Sequence, residues 1–167
     1  MWGKKKIAII FVVLLIVCAA IVAVVLNINK TNKDSDDGSE GMAAACSLNT
    51  FEETATCIEE VYVNNGDIKE FVDIYDMVIN NAEMKDNYDL ASKLIVQRAT
   101  SLVNYGYCDR AVDVLGIQDF SGYDTDKRAY VYSRAASISL ECGNDEARKK
   151  WTDLMMETQK ELQYEAF

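Results

Sequence analysis

The side chains best placed to do chemistry in this chain are paired carboxylates and cysteines, because histidine is missing altogether. Histidine is the commonest general base near neutral pH and the commonest metal ligand, so the usual serine and cysteine triads are not available. Glu52-Glu53 and Glu59-Glu60 could in principle attack a glycosidic bond as acid and base. Both pairs fall on the polar side of an amphipathic pattern, which reads as a solvated helix face. Tyr123 and Lys127 have a Y-x-x-x-K spacing, but in a loop with no cofactor fold around it. No phosphate-binding glycine loop, dinucleotide glycine fingerprint or S-x-x-K occurs. The expectation is therefore a chain with no catalytic residue and no cofactor. An envelope hydrolase of cell-wall material using two carboxylates is the alternative.

Four cysteines, Cys46, Cys57, Cys108 and Cys142, lie outside the apolar N-terminal run at spacings of 11, 51 and 34. There is no C-x-x-C, and without histidine a zinc site would need all four thiols, so no metal is expected. An even number of cysteines in an oxidising compartment suggests two disulfides, for which four cysteines leave three pairings. Four buried, reduced thiols are the competing reading.

The compartment follows from the N-terminus. Ile7 to Leu26 gives 20 apolar residues in a row, directly preceded by Lys4, Lys5 and Lys6. A helix of that length spans about 30 Å, the thickness of a bilayer's hydrocarbon core. Basic residues before such a run hold the N-terminus in the cytoplasm and send the rest across. A cleaved signal peptide would have a shorter apolar stretch ending at a small-x-small site, and none follows here. Residues 1–26 thus read as a cytoplasmic tip and an uncleaved single-pass anchor in contact with membrane lipid. Residues 27–45 read as a flexible, acidic tether, and 46–167 as an extracytoplasmic domain. Asp34, Asp36 and Asp37 beside Gly38 lack the spacing of a helix–loop–helix calcium site. A bacterial envelope is the expected setting; the only glycosylation sequon, at Asn29, lies too near the membrane to say anything about a eukaryotic lumen.

Charge divides the chain at the same place. All 27 acids lie at Asp34 or beyond with only 12 bases among them, leaving about −15 on that part. Such a surface repels nucleic acid and anionic lipid, so neither is an expected partner of the domain.

After Ser47 the apolar residues keep a helical period, and no alternating strand pattern intervenes. Asn49 or Thr50 can cap a first helix with Glu52 and Glu53 in its first turn, and Asn64-Asn65-Gly66 stops it. A second helix carries Ile68, Phe71, Val72, Tyr75, Val78 and Ile79. The third spans about Tyr88 to Tyr105 and stops at Gly106; the fourth carries Ala111, Val112 and Leu115. The fifth starts at about Asp126 and ends at Gly143, and the last carries Ala147, Trp151, Leu154, Met155 and Leu162. The expected fold is all-α, with six helices in three antiparallel pairs after the membrane segment.

The stop glycines Gly66, Gly106 and Gly143 recur at intervals of 40 and 37 residues, and a repeated helix–turn–helix unit of this length marks an α-solenoid. Ala99, Leu102, Gly106, Ala111 and Leu115 resemble the small, apolar and turn positions of a tetratricopeptide repeat. Ala136, Gly143, Ala147 and Trp151 resemble the same series, with one residue fewer before Ala147. The first unit has Phe71 where the alanine belongs, and the prolines that close such repeats are missing. The resemblance covers about residues 88–160. An ordinary helical bundle is the competing fold.

That resemblance implies a small superhelix of about three helix pairs with a concave groove for a protein or peptide. It places the first helix of each pair on the inner curve, so that Lys93, Thr100 and Asn104 of one unit and Tyr130, Ser133 and Ser137 of the next face the partner. It also brings Cys108, at one turn, close to Cys142, at the end of the next first helix, favouring Cys108–Cys142 with Cys46–Cys57. The expected function is a membrane-anchored binding module that docks a protein in an envelope assembly.

Overall fold

The computed structural model describes residues 37–47 and 50–165. The 20-residue apolar run and most of the tether lie outside these residues, and among those described no helix is long and apolar enough to cross a membrane. The compact unit that holds the helices begins at Ser39. The described residues form seven helices: α1 (Asp37–Cys46), α2 (Phe51–Asn65), α3 (Ile68–Glu83), α4 (Tyr88–Asn104), α5 (Cys108–Gly116), α6 (Thr125–Glu141) and α7 (Asp145–Glu165). No strand occurs among the described residues, so this part of the chain is all-α.

Local sequence chemistry sets most of the helix ends. Thr50 accepts the Glu53 amide at 3.2 Å, and Asp67 accepts those of Lys69 and Glu70 at 2.8 and 3.1 Å. Asn87 caps α4 through Leu90, and Asn144 caps α7 through Ala147. These caps satisfy amides that have no partner inside the helix, each contributing about 1 kcal/mol. Gly66 and Gly143 stop α2 and α6 at φ values of 67° and 68°, a left-handed conformation that a Cβ disfavours. The Gly66 amide donates to the Tyr62 carbonyl at 2.7 Å, closing the last turn of α2.

The tether differs from its sequence reading. Residues 37–46 are helical, and Ala43 and Cys46 of α1 are buried. Ala43, Ala44 and Ala45 are the strongest helix formers, and Met42, Ala43 and Cys46 lie close enough on one face to dock together. The glycines and acids that precede them masked this turn in the sequence. Cys46 is joined to Cys57 with a Cα separation of 5.5 Å, which pins α1 on α2.

The helices pack in a regular order. α2 lies against α3 and α4; α4 lies against α3, α5 and α6; and α6 lies against α5 and α7. The first helices of the three sequence pairs therefore meet in succession, and α3 and α5 each also touch the first helix that follows. Phe71, Ile74 and Tyr75 of α3 with Leu94, Ile95 and Leu102 of α4 are fully buried at the centre. Each such side chain contributes about 1.5–3 kcal/mol of transfer free energy. Beyond them Phe120, Tyr132 and Trp151 pack as a second aromatic group, with Tyr132 stacked on Trp151 at 5.7 Å. Cys108 at the start of α5 is joined to Cys142 at the end of α6, with a Cα separation of 5.3 Å. Both cysteine pairs are the ones the expected fold favoured.

Candidate binding groove

α4 packs against both α2 and α6. The Asp89 carboxylate, and more weakly the charges of Glu52 on α2 and Tyr130 on α6, raise the pKa of Lys93 on α4. At the same end Lys127 of α6 approaches Asp89 of α4 at 4.0 Å. Helical spacing places Lys93, Gln97, Thr100 and Asn104 along one arc of α4.

The sequence-expected contact residues are in different states. Lys93 is exposed and paired with Asp89 at 2.7 Å, an i−4 bond that raises its pKa. Asn104 and Ser133 are exposed, and Tyr130 keeps 42% of its surface in solvent. The hydroxyls of Thr100 and Ser137 turn back on their own helices and donate to the carbonyls of Val96 and Ser133 at 2.9 and 3.1 Å. These two present methyl and methylene groups outward more than free hydroxyls.

Along α2, with Gln97 of α4 at its edge, the surface opens into a groove of about 630 Å³. Phe51, Ala55 and Val63 supply its apolar lining, Glu52, Glu59 and Glu60 its acids, and Gln97 its α4 wall. Sequence reasoning missed Gln97, although it falls between Lys93 and Thr100 at helical spacing.

Glu59 departs from the solvated face expected of it. Its side chain is half-buried, and three hydroxyls converge on the carboxylate. Tyr75 of α3 donates to Oε1 at 3.2 Å, Ser101 of α4 donates to the same oxygen, and Tyr105 at the end of α4 donates to Oε2. Gln97 in turn donates to the Ser101 hydroxyl at 3.1 Å. A carboxylate has about four acceptor positions, and three are filled here. The donors come from 16 to 46 residues away in the chain, so no local pattern announces the network. Glu60, by contrast, is exposed, as the amphipathic reading requires.

This network sits on an aromatic floor. Phe71 is in edge contact with Tyr62, Tyr75 and Tyr105 at centroid distances of 5.3, 5.0 and 5.8 Å. Burial, then the charge of Glu59, pushes the Tyr75 hydroxyl well above the ordinary tyrosine range. Burial, then the hydrogen bond to Glu59, does the same to Tyr105. Both phenols stay protonated donors at neutral pH, so the carboxylate is held in one orientation.

A second network closes the long loop before α6. Tyr123 donates to Glu83 Oε1, which also accepts from Gln118 at 3.2 Å. Burial and this bond raise the Tyr123 pKa. The Tyr123–Lys127 spacing therefore serves packing: Tyr123 is buried against Tyr88 and Phe120, while Lys127 pairs with Asp126 at 2.6 Å.

Glu52, Glu59 and Glu60 all come from one helix, whereas an acid–base pair for glycoside hydrolysis flanks the scissile bond from two sides. What the groove offers is a rigid carboxylate, two mobile ones, an amide and an apolar lining. Against protein-family models, curated proteins and solved structures, the chain has no match.

Proposed function

We propose that residues 46–167 are a tetratricopeptide-like binding module whose first helices line a groove for a protein or peptide in an envelope assembly. In this reading α2–α3, α4–α5 and α6–α7 are three stacked units, residues 7–26 anchor the chain in the membrane, and the module stands on the outer side in a bacterial envelope. It is not an enzyme and takes no cofactor. The observation that carries the reading is the succession of first helices, α2 packed on α4 and α4 on α6. The order of helix contacts supports it, because each inner helix meets the next inner helix and the intervening outer one.

The test is site-specific photocrosslinking in intact cells. A photoreactive residue at Asn104 or Ser133 captures the same partner, and one at Asp153 or Glu157 on α7 does not. Tyr130→Ala weakens that capture by about 2 kcal/mol or more if the ring is an anchor, with the helical circular dichroism unchanged. Capture from α7 but not from α4 and α6 overturns the groove as the site.

A further inference from the structure

We infer that the cleft along α2, edged by Gln97 of α4, receives a lysine or arginine side chain of the partner peptide, flanked by an apolar residue. This rests on the peptide-binding reading and names the chemistry the groove selects. Charge complementarity points to that occupant: Glu52, Glu59 and Glu60 line the cleft, no basic side chain is among its lining, and the nearby Lys93 is paired with Asp89. The whole region from Asp34 onward is acidic, so a basic partner is also steered toward it from a distance.

Glu59 makes the cleft more than an acidic surface. Tyr75, Ser101 and Tyr105 fix its carboxylate before any ligand arrives, filling three of its about four acceptor positions. A preorganised acceptor spares the ligand complex the ordering cost that a mobile glutamate would add. Glu52 and Glu60 are exposed at the rim, each free to meet a cationic group of the ligand. Val63, 74% exposed, lies along the same cleft with Ala55 and Phe51 and gives the flanking apolar side chain a surface to cover. The stem of lysine or arginine is itself apolar and suits this lining.

The experiment measures fluorescence anisotropy of the full-length chain in detergent with a labelled peptide of about nine residues, lysine and leucine interspersed with serine. One comparison peptide has glutamate for lysine, and another has serine for leucine. The basic, leucine-containing peptide binds, and its affinity falls as salt is raised. The double variant Glu52→Gln/Glu60→Gln binds it about tenfold more weakly, two partly exposed charge contacts of ordinary strength being lost. The charge-matched control Asp153→Asn/Glu157→Gln, on exposed α7 positions, leaves it unchanged. Val63→Ser weakens the leucine peptide and leaves the serine peptide alone. Equal losses in the double variant and the control would reduce the effect to net charge and overturn the inference, as would preference for the glutamate peptide. Crosslinking from Asn104 and Ser133 without any effect of Glu52→Gln/Glu60→Gln would sink this inference alone. Loss of both would sink the groove with it.

Discussion

Arg98, the largest fully buried side chain, reaches from α4 to Asp76 on α3 through one terminal nitrogen and to the Val114 carbonyl on α5 through the other, at 3.1 Å. It joins three helices at the centre of the stack. Burial lowers its pKa from 12.5 to about 10, which leaves it charged at neutral pH. Its Nε has no hydrogen-bond partner. The pair is asymmetric, because Asp76 keeps 43% of its side chain in solvent while Arg98 has none.

That asymmetry orders two substitutions. Asp76→Ala strands a buried guanidinium and costs about 2–4 kcal/mol, below the upper end for buried pairs because Asp76 is partly hydrated. Arg98→Met removes the charge, keeps most of the packing and leaves only the Val114 carbonyl short of a donor, at about 1–2 kcal/mol. Urea denaturation of both variants checks the order. A smaller loss for Asp76→Ala than for Arg98→Met would show that the ion pair contributes little to holding α3 on α4.

The cysteine pairs predict unequal losses. In the chain-entropy account, closing a loop of 11 residues stabilises by about 3 kcal/mol and one of 34 by about 4. Replacing Cys108 and Cys142 together by serine should therefore lower the urea midpoint more than replacing Cys46 and Cys57. Non-reducing peptide mapping of protein taken from its own compartment should recover the same two pairs. The anchor's orientation makes a linked prediction: a membrane-impermeant thiol reagent labels a cysteine engineered at Ser39 in intact cells. Labelling only after lysis would overturn the outward orientation, and free thiols at all four native positions would weaken it.

The features legible in the sequence were those with local causes. Thr50 caps because its side chain reaches an amide three residues on, and Gly66 and Gly143 stop helices because the left-handed turn favours glycine. Lys93 and Tyr130 could be read as exposed from helical period, and both are. Glu59 could not, because its three donors arrive from other helices, and amphipathic spacing puts it at the edge of the polar face, where burial is decided by tertiary packing. Arg98 sits one residue from Ala99 and three from Ile95, on an apolar face where a charge normally argues for exposure. Only the neighbouring Asp76 and the end of α5 make that position tolerable.

The last prediction concerns alkaline pH. Tyr75, Tyr105 and Tyr123 hold their protons in the folded chain to pH values above the ordinary 10.0, through burial and the carboxylates of Glu59 and Glu83. In the unfolded chain the same phenols ionise near 10.0, so above that pH the unfolded state binds fewer protons than the folded one. Stability from these groups is complete below about pH 10 and is lost as pH rises further. Arg98 acts in the opposite direction: its folded value of about 10 lies below the ordinary 12.5, so folding becomes easier for it as pH climbs between the two. Three tyrosines against one arginine leave a net decline. Replacing Tyr105 by phenylalanine should cost about 1 kcal/mol near neutral pH, where a hydrogen bond to Glu59 is lost. It should also make the decline above about pH 10 shallower, because one of the three proton-linked groups is gone. Urea midpoints measured across that range in the parent and in Tyr105→Phe decide the matter. Parallel curves would mean that Tyr105 titrates alike in both states, and that its bond to Glu59 does not hold the carboxylate in place.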